Sequence, residues 1–147
     1  MINKFVKAWD IGKENLQEFF KTNKQKEYDT YEKIVQQLVR IVINPYIRET
    51  QYDDGVWNEL NIEDMVVLDH GNYQGMQLFI FHADTYQPGV EDYYYTHNYY
   101  GSCSGCDTLL SILEWDDEAL PTDSQVEEYM SLCLHLLQRF NKFKEED

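Results

Sequence analysis

The chain has 147 residues, of which 43% are hydrophobic, and 27 Asp and Glu against 12 Lys and Arg give a formal net charge of −15 at pH 7. The length suits a single domain, residues 1–147, with a real hydrophobic core, and the composition excludes a disordered chain. The negative charge argues against nucleic acid and anionic membranes as direct ligands, since both need a cationic footprint.

Helical periodicity dominates the first third of the chain. Asp10 can cap a helix over residues 11–22, because Asp accepts hydrogen bonds from the free amides of a first turn. Asp29 can cap a second helix, in which apolar residues recur at helical spacing. Asn44 and Pro45 are predicted to end this helix, because a residue that precedes proline avoids helical backbone angles.

Three strands are predicted in the middle of the chain. Runs of β-forming residues at 65–69 and 76–83 flank the sequence Gly-Asn-Tyr-Gln-Gly at 71–75, which is typical of a hairpin. A turn that contains Pro-Gly then leads to a third strand over residues 92–100. These three strands are predicted to form an antiparallel meander.

Two more helices complete the prediction. Asp107 can cap a helix over residues 108–115, and an apolar stripe predicts a last helix over residues 123–143. The predicted order is therefore ααβββαα. We predict a fold of the α+β class, with a three-stranded antiparallel meander and helices packed on one face.

Two cysteines lie in a glycine-rich turn, Gly101–Asp107, between the third strand and the next helix. Cys103 and Cys106 have the Cys-x-x-Cys spacing of paired zinc ligands and of thiols active in disulfide exchange. The spacing leaves three alternatives: a tight turn of small buried side chains, a metal site and a thiol-active site. A zinc site would add His82 or His97 from the neighbouring strands to Cys103 and Cys106. In the other cases we expect no cofactor.

Three short motifs give the chain a resemblance to a known family. They are Asp-His-Gly-Asn-Tyr-Gln-Gly at 69–75, Tyr-Gln-Pro at 86–88 and Tyr-Tyr-Gly-Ser-Cys-Ser-Gly-Cys-Asp-Thr-Leu at 99–109. Over residues 62–113 the chain resembles an uncharacterised family of small bacteriophage and prophage proteins. The resemblance implies a phage protein in the cytoplasm of a bacterial host, and it implies no particular chemistry.

Negative charge is concentrated in the second part of the chain. Residues 1–48 are a basic-leaning helical region, with nine Lys and Arg against six Asp and Glu, and residues 49–147 are a strongly acidic α+β region, with three against twenty-one. This charge exceeds what solubility requires and favours a basic partner. Two clusters supply the candidate partner-binding residues. They are Asp53, Asp54, Glu59, Glu63 and Asp64 in the first cluster, and Glu114, Trp115, Asp116, Asp117, Glu118, Asp123, Glu127 and Glu128 in the second.

The sequence favours binding over catalysis, because it contains no Walker-type glycine loop, Gly-x-Ser-x-Gly elbow or His-Glu-x-x-His motif. We expect a non-enzymatic inhibitor that imitates the charge of DNA and binds a basic, nucleic-acid-binding host protein. Such a target could be a nuclease or a CRISPR effector, which would make the chain an anti-CRISPR-type inhibitor. The absence of a long apolar run and of a signal peptide predicts a cytoplasmic protein.

Three alternatives to this function stay open. The acidic face could serve solubility alone. The chain could be a small metal-binding or thiol-active protein that uses its Cys-x-x-Cys turn. It could also be a structural or interaction protein that forms a homodimer through its tyrosine-rich third strand, because tyrosine is common at protein interfaces.

Overall fold

The helices of this protein pack on one face of a four-stranded antiparallel sheet. The computed structural model describes residues 5–28, 30–50, 58–72, 74–101, 107–112 and 119–143. The strands are β1 (Val66–Gly71), β2 (Gly75–His82), β3 (Tyr93–Tyr100) and β4 (Asn141–Lys142), and they lie side by side in this order. The α+β class agrees with the prediction, whereas the sheet has four strands instead of three. Within the described ranges, no helix combines the length and the apolar character needed to cross a membrane.

The first helix, α1, covers Val6–Thr22 and therefore begins before the predicted start at residue 11. Asp10 is an exposed residue inside this helix and not its cap. The helix extends towards the N-terminus because its buried stripe continues there, with Ala8 and Gly12 facing the core one turn apart. Glycine at position 12 allows a close approach of the two helices, since a Cβ there would lie only 3.0 Å from the Cα atom of Val42.

A continuous helical segment follows, made of α2 (Tyr31–Leu38), a π-helical turn (Val39–Ile43) and α3 (Asn44–Thr50). The prediction that Asn44 and Pro45 end the helix is therefore wrong. In the π-helical turn the amide of Asn44 donates to the carbonyl of Val39. Pro45, which has no N–H, then enters as the second residue of α3, where a helix needs no amide donor.

The start of α2 is capped by a residue other than the predicted one. The hydroxyl of Thr30 accepts a hydrogen bond from the amide of Lys33 at 3.3 Å, which satisfies one of the free amides of the first turn. Asp29, the predicted cap, lies outside the described residues. A short 3₁₀ helix, Gln25–Tyr28, leads into this point and buries its tyrosine completely.

The side chain of Asn44 clamps the helical segment to Leu60, in the segment that precedes β1. Its Nδ2 donates to the Leu60 carbonyl at 3.1 Å, and its Oδ1 accepts from the Leu60 amide at 2.8 Å. Leu60 in turn forms an isolated antiparallel bridge with Ala83, immediately after β2. Both Asn44 and Leu60 are buried, so water cannot reach the amide and the carbonyl of Leu60. The Asn44 side chain satisfies both groups instead.

Strand pairing assigns each residue of the sheet to one of two faces. Because directly paired residues point to the same side, Phe79, Phe81, Tyr94 and Thr96 all face the helices, and all four are buried. The opposite set forms a second surface, which we call the open face. The open face consists of Val66, Leu68, His70, Met76, Leu78, Ile80, His82, Tyr93, Tyr95, His97, Tyr99, Asn141 and Phe143.

The hairpin between β1 and β2 follows the sequence prediction closely. The two strands pair over six residues, and the pair Gly71 and Gly75 closes the loop. Gly71 has a φ of 144°, which only glycine adopts readily, and a Cβ on Gly75 would collide with the carbonyl of His70. The glycines at both ends of the predicted loop are thus required by the backbone.

The last two helices are α4 (Thr108–Ile112) and α5 (Asp123–Gln138), so the prediction of a helix up to residue 143 is wrong. After α5 the side chain of Phe140 enters the core, where its ring centroid lies 5.7 Å from that of Phe5 and 5.9 Å from that of Phe81. Burial of this ring turns the chain away from the helix axis. The next two residues form the short strand β4, which pairs with β3.

Helix α5 joins the helical region to the sheet in one apolar core. The ring of Tyr129 stacks on that of Phe20, with centroids 5.0 Å apart, and Tyr28 packs edge-on against both. About two turns further along α5, the hydroxyl of Thr96 donates to the Leu136 carbonyl at 2.7 Å. The buried residues of all these elements form a contiguous cluster.

The Asn44 clamp predicts a large loss of stability for Asn44→Ala. The substitution leaves the buried amide and carbonyl of Leu60 without their partners, which should lower the free energy of unfolding by about 2–4 kcal/mol in urea titrations. Asn15→Ala, on the exposed side of α1, is the matched control and should change it by no more than about 0.5 kcal/mol. Equal effects of the two substitutions would show that the clamp does not stabilise the fold.

Candidate functional site

One end of the sheet gathers carboxylates from three separate segments of the chain. The Asn61 amide donates to the His82 carbonyl at 2.8 Å, and the Asp84 amide donates to the Glu59 carbonyl at 2.8 Å. The Ala83 amide donates to the Asp92 carbonyl at 2.7 Å. These backbone hydrogen bonds hold together a surface that we call the acidic end. It carries Glu59, Glu63, Asp64, Asp84, Glu91 and Asp92.

An arginine and a histidine contact the acidic end. The Arg48 guanidinium lies 2.7 Å from the Glu59 carboxylate, and His82 Nε2 lies 3.2 Å from the Asp64 carboxylate. The partner carboxylates and Arg48 are largely exposed, and such surface pairs contribute only about 0.2–1 kcal/mol each. Of the remaining carboxylates, Glu63, Asp84 and Glu91 are exposed to solvent, whereas Asp92 Oδ2 accepts from the Gly89 amide at 2.9 Å. The three exposed carboxylates are therefore available to an external cation.

The turn between β2 and β3 places an aromatic side chain beside these carboxylates. Tyr86 is 90% exposed, which is rare for so large a ring. It is followed by Gln87, whose φ of 55° lies in the left-handed region that residues other than glycine seldom adopt. An exposed ring held on a strained turn between Asp84 and Glu91 is typical of a contact residue.

The structure brings together part of the first predicted acidic cluster. Glu59, Glu63 and Asp64 belong to the acidic end, whereas Asp53 and Asp54 lie outside the described residues. The sequence analysis missed Asp84, Glu91 and Asp92, because strand pairing, not proximity in the chain, brings them to this place. The signal available in the sequence was their position at the turn between two predicted strands.

The second predicted acidic cluster lies elsewhere. Asp123, Glu127 and Glu128 are exposed on the first turns of α5, and Glu127 lies between two shallow surface depressions on either side of the helix. Asp123 is separated by roughly 20 Å along the helix axis from Leu136, where α5 contacts β3. The described acidic candidates thus form two separate surfaces. The other members, Glu114, Trp115, Asp116, Asp117 and Glu118, lie outside the described residues.

The two histidines proposed as zinc ligands are far apart in the sheet. His82 pairs with Tyr93 and His97 pairs with Leu78, so they are four register positions apart on the same face, or roughly 13 Å. A zinc ion binds imidazole nitrogen at about 2 Å, and one ion can therefore contact at most one of them.

The cysteines of the proposed zinc site, Cys103 and Cys106, lie outside the described residues. In the described part of the chain, no group of three or more His, Cys, Asp and Glu side chains has an arrangement that could hold a metal ion. Cys133 is fully buried on α5, and burial raises the pKa of its thiol, which makes it an unreactive core residue.

A buried carboxylate closes the base of the glycine-cysteine turn. Asp107 Oδ2 accepts from the Gly101 amide at 2.8 Å, and its Oδ1 accepts from the Leu110 amide at 3.1 Å, which caps α4 as predicted. The Tyr31 hydroxyl donates to the same Oδ1 at 2.6 Å and accepts from the Leu109 amide at 2.9 Å. Burial, and then this hydrogen bond to Asp107, raise the pKa of Tyr31. Both ends of the turn are thereby fixed to α2.

Comparison of the chain with protein-family models, with curated proteins and with solved structures finds no match. The function of its surfaces is therefore argued from their geometry and charge.

The anchor at Asp107 predicts the effect of Tyr31→Phe. Removal of the hydroxyl leaves the buried Leu109 amide unpaired and removes one donor from Asp107, so the free energy of unfolding should fall by about 1–3 kcal/mol. Tyr86→Phe removes a hydroxyl from a ring that is 90% exposed and should have almost no effect. Chemical unfolding of both variants checks this prediction, and a neutral Tyr31→Phe would contradict the role of the anchor.

The position of His97 on the sheet predicts a loss of stability in acid. Burial, and then the nearby charge of Arg139, lower the pKa of this imidazole in the folded state. As the pH falls below about 6.5, the unfolded chain binds the proton first, so stability decreases on acidification. The melting temperature of His97→Gln should therefore fall less than that of the native protein between neutral and mildly acidic pH. Asn15→Ala, which alters no titratable group on the exposed side of α1, should keep the native pH profile.

Proposed function

We propose that this chain is a non-enzymatic acidic protein that binds and blocks a basic, nucleic-acid-binding host protein. The observation that supports the proposal best is the acidic end, where backbone hydrogen bonds hold carboxylates from three segments on one surface. A cluster held by the backbone loses little conformational freedom on binding, which favours affinity. Its negative field also accelerates encounter with a cationic partner.

The carboxylates of the acidic end can take the place of nucleic-acid phosphates. Arginine and lysine side chains that contact phosphate oxygens bind carboxylate oxygens with similar geometry, and arginine does so through two parallel hydrogen bonds. Tyr86 adds a surface on which a guanidinium can stack. A cleft that normally holds nucleic acid is lined with Lys and Arg. Such side chains can pair with the carboxylates, and a guanidinium among them can stack on Tyr86.

The class of target follows from this chemistry and from the resemblance to phage proteins. A phage protein in a bacterial cytoplasm meets cationic clefts in host defence nucleases, including CRISPR effectors, and in other nucleic-acid-binding proteins. Binding within such a cleft would exclude its nucleic acid, which is the action of a DNA mimic. The acidic surface of α5 is a second region from which the same protein could contact its target.

Charge reversal at the acidic end tests this proposal. In the variant Glu63→Lys, Asp84→Lys, Glu91→Lys, capture of basic proteins from a bacterial lysate and the affinity for any captured nuclease should fall by more than about tenfold, since several ion pairs become repulsive. The control Glu14→Lys, Glu18→Lys, Glu32→Lys alters exposed residues of α1 and α2 and changes the net charge equally. It should retain most of the affinity, because only a local surface is proposed to bind.

Further variants separate the candidate surfaces. The triple variant Asp123→Lys, Glu127→Lys, Glu128→Lys measures how much the acidic surface of α5 contributes to the affinity for the target. The double variant Cys103→Ser, Cys106→Ser should leave that affinity unchanged. The native complex should weaken with salt and should be displaced by duplex DNA. If the variant at the acidic end binds its target as tightly as the native protein at low salt, imitation of nucleic-acid charge is the wrong mechanism.

A further inference from the structure

The open face of the sheet exposes large apolar side chains, and none of the described helices packs on it. Val66 is 48% exposed, Leu68 52%, Tyr99 63% and Phe143 48%. The ring of Phe143 packs edge-on against Tyr95 with centroids 5.2 Å apart, so the aromatic surface continues beyond β3. Apolar side chains standing in a contiguous group on one face usually mark an interaction site.

This face contains no acidic residue, no lysine and no arginine. Not one of its thirteen positions is Asp, Glu, Lys or Arg, although the chain as a whole carries 27 acidic and 12 basic side chains. A surface that served a basic protein would need carboxylates, and one that served nucleic acid would need Lys or Arg. The open face offers neither kind of charge. Its chemistry is complementary to another neutral, apolar and aromatic surface.

We propose that the open face is the interface of a symmetric homodimer, in which it packs against the open face of a second copy. A two-fold axis that lies in the plane between the two open faces brings the same set of residues from both copies together, as an isologous interface requires. Two sheets packed face to face lie about 10 Å apart with their side chains interleaved. Two strongly negative chains repel each other, and a face free of acidic residues is where they can meet at the lowest electrostatic cost.

The size of the open face suits a weak dimer. The four strands contain 24 residues, and at about 4.8 Å between strands and 3.3 Å per residue they cover roughly 400 Å² of the sheet plane. Side chains that stand upright from the plane raise the accessible area above this figure. Two such faces therefore approach the roughly 1,000 Å² of total buried surface that a specific interface needs.

The acidic end lies at the rim of this interface and remains outside it. His82 and Tyr93 are the last open-face residues before the carboxylates of Asp64 and Asp84. A homodimer would thus keep the acidic end of each copy accessible. The dimer and the binding function proposed above use different surfaces and can be tested independently.

Sedimentation velocity of the full chain, from about 5 to about 500 µM and in about 50 and 500 mM NaCl, tests the proposal. We expect a monomer–dimer equilibrium whose dissociation constant decreases at least about threefold at high salt, because salt screens the repulsion between the copies. Binding of a basic partner should respond to salt in the opposite direction. A chain that stays monomeric at every concentration in high salt would overturn the proposal and leave the binding function untouched.

Matched variants locate the interface. Leu68→Asp places a charge on the open face and should raise the dissociation constant by more than about tenfold. Leu120→Asp alters a leucine of similar exposure, 54%, between α4 and α5 and should change it by less than about twofold. Tyr99→Ala is a second open-face variant without a new charge, and urea unfolding verifies that each variant folds. A dimer that persists in both open-face variants, or that Leu120→Asp disrupts equally, would overturn the proposed interface.

Discussion

The one-sided coverage of the sheet determines where this protein can interact. The register between β2 and β3 directs Phe79, Phe81, Tyr94 and Thr96 towards the helices, and burial of these residues joins the sheet to α5 and to the helical region. The same register directs the alternate residues to the opposite side, where the described helices do not reach. The core and the open face are therefore consequences of a single pairing. The acidic end also requires the segment before β1, which the bridge between Leu60 and Ala83 joins to the end of β2.

The two proposed surfaces divide the chemistry of the chain between them. The acidic end combines charge with the exposed side chains of Tyr86 and Val90, whereas the open face has apolar area and no acidic residue. Long-range attraction thus comes from the acidic end and short-range apolar contact from the open face. Salt should weaken binding at the acidic end and strengthen association through the open face. A dimer built on the open face would place two acidic ends in one particle. Such a particle could engage a cationic target at two points and gain avidity from their connection.

Several local elements of the fold were predictable from the sequence, although the caps of α1 and α2 were not, and the elements that depend on distant contacts were missed. The loop between Gly71 and Gly75 and the cap at Asp107 were predicted because glycine and aspartate act on their immediate neighbours. The helix that passes through Pro45 was missed because the π-helical turn before it depends on packing against Gly12. The end of α5 was missed because a buried site for Phe140 exists only after the sheet and α1 have assembled. The acidic end was found in part, since Asp84, Glu91 and Asp92 join it through strand pairing.

The anchor at Asp107 ties three elements of the fold to one carboxylate. The amide of Gly101, immediately after β3, and the amide of Leu110, in α4, both donate to it, and Tyr31 holds it from α2. Loss of this one carboxylate would therefore release the end of β3 and the start of α4 at the same time. The ends of these elements thus belong to a single cooperative unit of local unfolding.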